Sequence, residues 1–178
     1  MPAVPVGSAF RLYVEAAGDF GRSAAGSIQT ALAITNNSAA PATVSLDLGS
    51  LDSSPTGLTG TLSIPGNGQV AVFLNQIPGL NSLPAEFQGI LRVSSAASLS
   101  VIGLRGRYNE RQEFLFTTTP PVNELTASST VPLYFPHIVD SGGYTTQFIL
   151  FGGQPGPTSL GTIQGFSQSG EPLDLAPL

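Results

Sequence analysis

One stretch of the sequence, FPHIVDSGGYTTQFILF (residues 135–151), holds the single histidine of the chain, His137. Asp140 follows three residues later and Tyr144 seven residues later. An imidazole near a carboxylate and a phenol is a combination that can bind a metal ion or transfer a proton. The same residues also fit the start of a strand, with Asp140 initiating the turn DSGG. We expect an architectural role here, or contact with a ligand, and neither catalysis nor metal binding.

The densest group of charges lies in RGRYNERQE, residues 105–113. Its guanidinium groups could meet a carboxylate or a sugar in a planar contact, with the ring of Tyr108 beside them. The alternative is a strand end and a hairpin turn, whose arginine and glutamate side chains pair in solvent and contribute little. Both interpretations stay open. The candidate ligand-binding residues are therefore Arg105, Arg107, Tyr108, Arg111, His137, Asp140 and Tyr144.

The sequence lacks the residue sets that the common catalytic chemistries require. There is no cysteine, which excludes disulfides, thiolate metal sites and cysteine nucleophiles. No calcium loop of the D-x-D-x-D form and no H-E-x-x-H appears, and GGYTTQ (142–147) lacks the lysine of a phosphate loop. A serine hydrolase needs a histidine base and a glycosidase needs paired acids in one cleft, whereas these acids are scattered. We expect no enzyme activity, no cofactor and no metal ion.

Charge and composition point to a location outside the cell or at its surface. The net charge of −5, with six arginines and no lysine, disfavours nucleic acid and anionic membrane surfaces as partners. No apolar run approaches the ~20 residues that span a bilayer, so we expect no membrane insertion. Charged residues make up only 10% of the chain, and Ser, Thr, Asn and Gln supply most of its polarity. Residues 1–10 lack the features of a signal peptide, so an export signal is expected to lie outside this sequence.

Alternation of apolar and polar residues, the pattern of β-strands, runs through most of the chain. The 15 prolines and 21 glycines separate the alternating runs and leave no long helix. Asn67-Gly68 between two such runs predicts a tight turn with positive φ, and hence a hairpin. The pattern predicts an all-β, antiparallel β-sandwich of the Ig-like type. Its strands are expected at 10–16, 27–35, 43–48, 60–64, 69–74, 89–95, 99–108, 113–119, 132–137, 144–152 and 160–168.

The strand pattern is interrupted at Pro120-Pro121, and the residues that follow are rich in Ser and Thr. Because two prolines cannot continue a central strand, this stretch is predicted to be a linker or a long crossover. Strands then resume in an order that matches the beginning of the chain. We therefore predict three parts: a complete β-sandwich unit (8–119), the linker or crossover (120–131), and a half-unit (132–178) that repeats residues 10–48 and packs on the first unit.

The predicted repeat depends on paired short motifs. Leu12-Tyr13 corresponds to Leu133-Tyr134, and Leu46-Asp47-Leu48 corresponds to Leu173-Asp174-Leu175. No histidine stands at the position of the first copy that corresponds to His137, which favours architecture over chemistry for that residue. A half-unit also leaves strand edges unpaired, so a neighbouring molecule could supply the missing strands by β-augmentation.

Four phrases of the chain carry a resemblance: GLTGTLSIPGNGQVAVFLNQIPG (57–79), LPAEFQGILRVSS (83–95), VIGLRGRYNERQEFLFTTTPP (101–121) and LYFPHIVDSGGYTTQFILF (133–151). They resemble Ig-like or fibronectin-like β-sandwich repeat modules of large secreted or cell-surface proteins from acidobacteria and other soil bacteria. The resemblance implies a location outside the cell and a scaffold, adhesion or glycan-contacting role. It transfers no catalytic residue.

Two functions remain open at this stage. The first is a non-catalytic structural or adhesion module of a multimodular secreted protein, which contacts polysaccharide, neighbouring repeat modules or other copies of itself through strand edges. The second is a carbohydrate-binding module accessory to a polysaccharide-degrading enzyme. A solvent-facing row of aromatic side chains would favour the second function, but the chain has no tryptophan. Five of the ten phenylalanines are predicted to lie in the core, namely Phe73, Phe87, Phe114, Phe116 and Phe148.

Overall fold

The computed structural model describes residues 6–126, 131–136, 138–139, 142–151 and 162–173. Within these residues almost all regular secondary structure is antiparallel β-strand, so the prediction of an all-β antiparallel, sandwich-like fold is confirmed. Two 3₁₀ turns, Phe20–Arg22 and Leu74–Gln76, are the helical elements of the described part. The strands are β1 (Val6–Ala17), β2 (Ile28–Asn36), β3 (Ala42–Ser50), β4 (Pro55–Ile64), β5 (Gln69–Phe73), β6 (Phe87–Tyr108), β7 (Phe114–Thr119), β8 (Val122–Asn123), β9 (Gly165–Phe166) and β10 (Pro172–Leu173).

The long strand β6 belongs to both layers of the fold. Its first half pairs with β1 on one side and β3 on the other, and β4 continues this layer beyond β3. Its second half pairs with β2 and β7, and β5 continues the second layer beyond β2. The sequence pattern predicts two separate strands here, 89–95 and 99–108. They form one continuous strand of 22 residues that bends from one layer into the other.

Hydrogen bonds of Ser95 hold the chain where β6 changes layers. The Ser95 hydroxyl donates to the carbonyl oxygen of Thr43 at 2.8 Å and accepts the backbone N–H of Ala97 at 3.1 Å. The backbone N–H of Asn37 donates to the carbonyl oxygen of Ser98 at 3.0 Å. Ser95, Ala96, Ala97 and Ser98 carry small side chains, which allow the two layers to diverge without crowding. The bend therefore lies at a run of small residues within β6.

The core fills the space between the two layers. In β3 the alternation is complete, because residues 42, 44, 46 and 48 are buried and residues 43, 45 and 47 are exposed. Burying each large aliphatic or aromatic side chain contributes about 1.5–3 kcal/mol, so this face of the sheet contributes much of the stability. The buried core residues are Phe10, Leu12, Val14, Leu32, Ile34, Ala42, Val44, Leu46, Leu48, Ile64, Leu74, Ile77, Leu80, Leu91, Val93, Leu99 and Val101.

The turn at Asn67-Gly68 joins the two layers and does not form a hairpin. Asn67 has a φ of 54°, and the N–H of Gly68 donates to the carbonyl of Pro65 at 2.9 Å, as the sequence predicts. However, β4 pairs with β3 whereas β5 pairs with β2, so the predicted pairing of the flanking strands is wrong. The buried side-chain amide of Asn36 donates to the carbonyl oxygens of residues 40, 64 and 65. These bonds fasten the turn to the β2–β3 connection and direct β5 to β2.

The described residues beyond 130 contain little regular structure. β9 and β10 pair with each other, and Tyr144 makes an isolated bridge, but residues 131–136 and 145–151 form no strand. The rings of Phe135 and Phe148 lie 4.9 Å apart, and the Thr146 hydroxyl bonds to the backbone of Val139. Two of the strands predicted after the linker are therefore absent from the described residues. The repeat of residues 10–48 and its packing on the first unit stay predictions.

Candidate functional site

Arg105 of β6 lies in a polar cluster with side chains of β1 and β2. Its guanidinium forms an ion pair with the carboxylate of Glu15, which also accepts a hydrogen bond from the Tyr13 hydroxyl at 2.8 Å. The Thr30 hydroxyl accepts from the N–H of Glu15 and donates to its carbonyl oxygen, both at 2.8 Å. Glu15 is buried in the described structure. The cluster uses Arg105 within the protein, and a ligand would have to compete with Glu15 for it.

The position of Tyr13 raises the pKa of its phenol well above the ordinary value of 10.0. Burial is the main cause, because a phenolate would lose solvation there. The hydrogen bond to Glu15 and the charge of that carboxylate act in the same direction, whereas the nearby charge of Arg105 partly opposes them. The folded state therefore favours the protonated phenol.

We expect an alkaline titration to separate Tyr13 from an ordinary tyrosine. Because the folded pKa is raised, the stability contributed by the neutral phenol is complete below the unfolded pKa of about 10 and is lost as pH rises toward the folded pKa. Phenolate absorbance of the wild type and of Tyr13→Phe would measure this, since their difference isolates one of the four tyrosines. A difference that titrates at the ordinary pKa would contradict the expectation.

Arg107 and Arg111 lie at the connection between β6 and β7. Arg107 Nη2 lies 2.7 Å from Glu110 Oε1, and the side-chain oxygen of Asn109 accepts the backbone N–H of Arg111 at 3.0 Å and of Glu113 at 2.8 Å. β6 and β7 are antiparallel neighbours, so residues 109–113 form a hairpin loop. The arrangement is that of the strand end and turn described for RGRYNERQE. Ligand binding by these arginines stays a prediction.

The other predicted site residues do not join this group in the described structure. His137 and Asp140 lie outside the described residues. The side chain of Tyr144 is 73% exposed and makes no ring contact with a described residue. Tyr108, in contrast, lies in an aromatic cluster with Phe20 and the rings of β7. The structure thus gathers Arg107, Tyr108 and Arg111 at one end of the second layer and places Arg105 in a separate cluster.

The exposed apolar residues of β7, which we call the edge patch, are Phe114 and Phe116 on one face of the strand and Leu115 on the other. Phe114 is 48% exposed and Phe116 is 52% exposed, so the prediction that they lie in the core is wrong. β7 pairs with β6, and no other described strand pairs with it, because it forms the edge of the second layer. The alternation of its sequence is that of a half-buried strand, but no further layer of described strands covers it.

A packed ring cluster supports the edge patch from the side of β6. The ring centroid of Phe20 lies 5.2 Å from that of Phe73, 5.2 Å from that of Tyr108 and 6.2 Å from that of Phe114. Gly106 of β6 lies beneath these rings, and a Cβ atom there would be 2.9 Å from the Phe114 ring and 3.1 Å from the Phe20 ring. The glycine lets the rings lie close to the strand. Phe114 and Phe116 are therefore held in place while remaining half exposed.

A second ion cluster, at residues outside the predicted site, lies on the outer side of the first layer. The carboxylate of Glu124 lies 3.2 Å from Arg11 Nε and accepts hydrogen bonds from Arg92 Nε at 2.9 and 3.0 Å. The side chain of Glu124 is only 2% exposed. Arg11 and Arg92 stand opposite each other in the β1–β6 register, where two like charges would repel without the carboxylate. The hydrogen bond to Glu124 raises the pKa of Arg92.

This cluster attaches the chain after the double proline to the sandwich. The backbone N–H of Glu124 donates to the carbonyl of Ala9 at 3.0 Å, and β8 pairs with residues 10 and 11 of β1. The sequence signal that could have identified it is a lone acid in an otherwise uncharged stretch, with arginines at strand positions elsewhere. The start of the predicted linker or crossover is thus docked on the first unit.

The described residues contain no group of three or more His, Asp or Glu side chains placed to hold a metal ion. Among them there is also no helix of the length and hydropathy needed to cross a bilayer.

No protein-family profile and no curated protein sequence matches the chain. Among solved structures, the crystal structure of Thermotoga maritima 1070 is similar with a TM-score of 0.51 and 12% identity, over 66% of this chain and 94% of its own. The Anabaena sensory rhodopsin transducer gives a TM-score of 0.43 and 16% identity, over 56% of this chain and 83% of its own. At this identity the first likeness concerns the fold alone, and it agrees with the sandwich-like architecture.

Proposed function

We propose that this chain is a non-catalytic β-sandwich module that acts by surface contact, as a structural or adhesive element of a multimodular extracellular protein. The observation that carries the proposal is the edge patch, because half-exposed, large apolar side chains on an edge strand form a surface that favours a partner. The charged candidate residues also support this proposal. Arg105 and Arg107 pair with glutamates of the same chain and are satisfied there.

An adhesion assay with coated beads tests the proposal. Beads that carry the wild-type chain are expected to adhere to one another or to beads that carry a neighbouring module of the same protein. Replacing Phe116 with serine should abolish most of this adhesion, because it removes an exposed ring without touching the buried core. Leu51→Ser is the matched control, since Leu51 is also half exposed but lies in the connection between β3 and β4. Equal adhesion of wild-type and Phe116→Ser beads on every surface would reject the proposal.

One observation favours the carbohydrate-binding alternative. The rings of Phe114 and Phe116 lie on the same side of β7 with centroids 6.0 Å apart, and Tyr108 lies 5.4 Å from Phe114. Their planes are inclined by 42° and 50°, so they do not form one flat platform for a sugar chain. Retention on insoluble cellulose, chitin or xylan would support this function if Phe116→Ala abolishes it and Leu115→Glu does not. Leu115 faces the other side of the strand, so only stacking on the rings would show that difference.

A further inference from the structure

We propose that the partner of the edge patch is a second copy of this chain, whose residues 145–151 add to β7 as an antiparallel strand, and that two copies exchange these strands reciprocally. This inference rests on the proposed function, which it makes specific. The structure describes every residue of both strands. The exchange would be a two-fold symmetric contact, in which each copy donates one strand and accepts one strand.

The acceptor strand has the features that strand addition requires. All but the last of its six residues are exposed, and its pairing among the described strands is limited to β6. Its sequence, FLFTTT, contains no charge and no proline. Edge strands are usually protected by charged side chains, prolines or bulges, because an open edge pairs with other chains. β7 carries neither a charged side chain nor a proline, and it keeps a regular register with β6, without a bulge, over all six pairs.

The donor segment complements this strand in composition and register. Residues 145–151, TTQFILF, are uncharged, form no ladder in the structure, and expose Leu150 by 62%. In an antiparallel alignment that places residue 151 opposite residue 114, Leu150 faces Leu115 and Ile149 faces Phe116. The polar ends then meet as well, with Gln147 opposite Thr118. Six consecutive pairs are formed without setting a charge against an apolar residue, and matched cross-strand pairs of this kind stabilise a sheet.

Charge and area both suit a contact between copies. The chain has a net charge of −5, so two copies repel each other over most of their surface, whereas these two strands are neutral. Raising the salt concentration should therefore strengthen the association, because it screens the repulsion and leaves the apolar contact. Two exchanged strands cover on the order of 1,000 Å² of surface, if each half-exposed aromatic ring contributes roughly 100 Å². This area is near the lower limit of a stable interface, so we expect a dimer that dissociates on dilution.

Cysteine cross-linking tests the register directly, because the natural chain has no cysteine. Chains with Leu115→Cys are mixed with chains with Leu150→Cys under oxidising conditions, and the disulfide-linked dimer is followed on a non-reducing gel. Facing positions of paired strands are close enough for a disulfide, so this pair should cross-link about tenfold faster than the control pair Leu51→Cys with Leu150→Cys. Both positions of the test pair are exposed, so the fold should survive the substitutions.

The outcomes separate this inference from the proposed function. Equal rates for the test and control pairs would reject the exchange. A chain with both substitutions that forms only an internal disulfide would also reject it, because the occupant of β7 would then be the segment of the same chain. If the bead assay shows adhesion through Phe116 while the cross-link fails, the proposed function stands, and the inference that the partner is a second copy is wrong. If beads fail to adhere and no cross-link forms, both are rejected.

A pair of proline variants gives an independent measurement. Successive N–H groups of β7 point to opposite sides, so one of Thr117→Pro and Thr118→Pro removes a bond to β6 and the other removes only a donor at the open edge. The variant that loses the bond to β6 should have a lower melting temperature than the wild type. The variant that keeps its melting temperature should sediment as a monomer at concentrations where the wild type is a dimer. A dimer in that variant would overturn the inference.

Discussion

Replacing Glu124 with alanine is expected to lower the free energy of unfolding by about 3 kcal/mol. The carboxylate is buried between Arg11 and Arg92, and its removal leaves two facing guanidinium groups without the charge that neutralises them. Breaking a buried ion pair by removing one partner costs about 3–5 kcal/mol. We place this one at the lower end, because the side chain of Arg92 is 40% exposed and partly solvated. Urea denaturation followed by circular dichroism would measure the change.

Glu110→Gln is the matched control for this prediction. Glu110 also pairs with an arginine, at 2.7 Å, but its side chain is 78% exposed. Exposed pairs contribute about 0–1 kcal/mol, so this variant should be nearly as stable as the wild type. If Glu124→Ala and Glu110→Gln had similar stabilities, the cluster around Glu124 would not be the attachment point that the structure indicates. The variant Glu124→Gln, which keeps the shape and loses the charge, should fall between them.

Gly79→Ala is expected to destabilise the fold by about 3 kcal/mol, for a reason that involves the backbone alone. Gly79 has a φ of 89°, which costs about 1–2 kcal/mol for a residue with a Cβ atom. A Cβ there would also collide with the carbonyl oxygen of Thr59 in β4, and such overpacking adds about 1–3 kcal/mol. The neighbouring side chains Ile77 and Leu80 are fully buried, so the segment cannot move away without opening the core.

Gly57→Ala separates the two contributions. Gly57 has a φ of 79°, similar to that of Gly79, but a Cβ atom at this position would meet no atom within 4 Å. Its cost should be limited to the backbone conformation, about 1 kcal/mol. Thermal or urea denaturation of the two variants side by side would measure the difference. Equal losses would mean that the contact between Gly79 and Thr59 is not a tight one.

The class of fold could be predicted from the sequence, but the pairing of its strands could not. Alternation identifies strands because it depends on residues two positions apart. The turn at Asn67-Gly68 has its predicted backbone, yet the strands beside it belong to different layers, since three hydrogen bonds from Asn36 direct them. Asn36 is some thirty residues away from the turn. Such a long-range contact produces no periodic pattern in the sequence.

The candidate site shows the same division. The charges of RGRYNERQE are evident in the sequence, but the partner of Arg105 is Glu15, which lies 90 residues away. Phe114 and Phe116 alternate like core residues, and their exposure follows from the position of β7 at the edge of a layer. A strand with one apolar face has the same alternating sequence pattern whether or not another layer covers that face. Strand order, which is a property of the whole chain, decides the difference.

The sharing of β6 between both layers has a consequence for how the molecule folds. Neither layer can be completed before β6 is in place, and β6 ends at residue 108, after every other strand of the two layers except β7 and β8. Most ladders therefore close over long sequence separations, which makes folding slow compared with that of a helical domain of this size. During synthesis the earlier strands must wait for β6 to emerge. Once it does, both layers form around it, and we expect them to be lost together in a single cooperative transition.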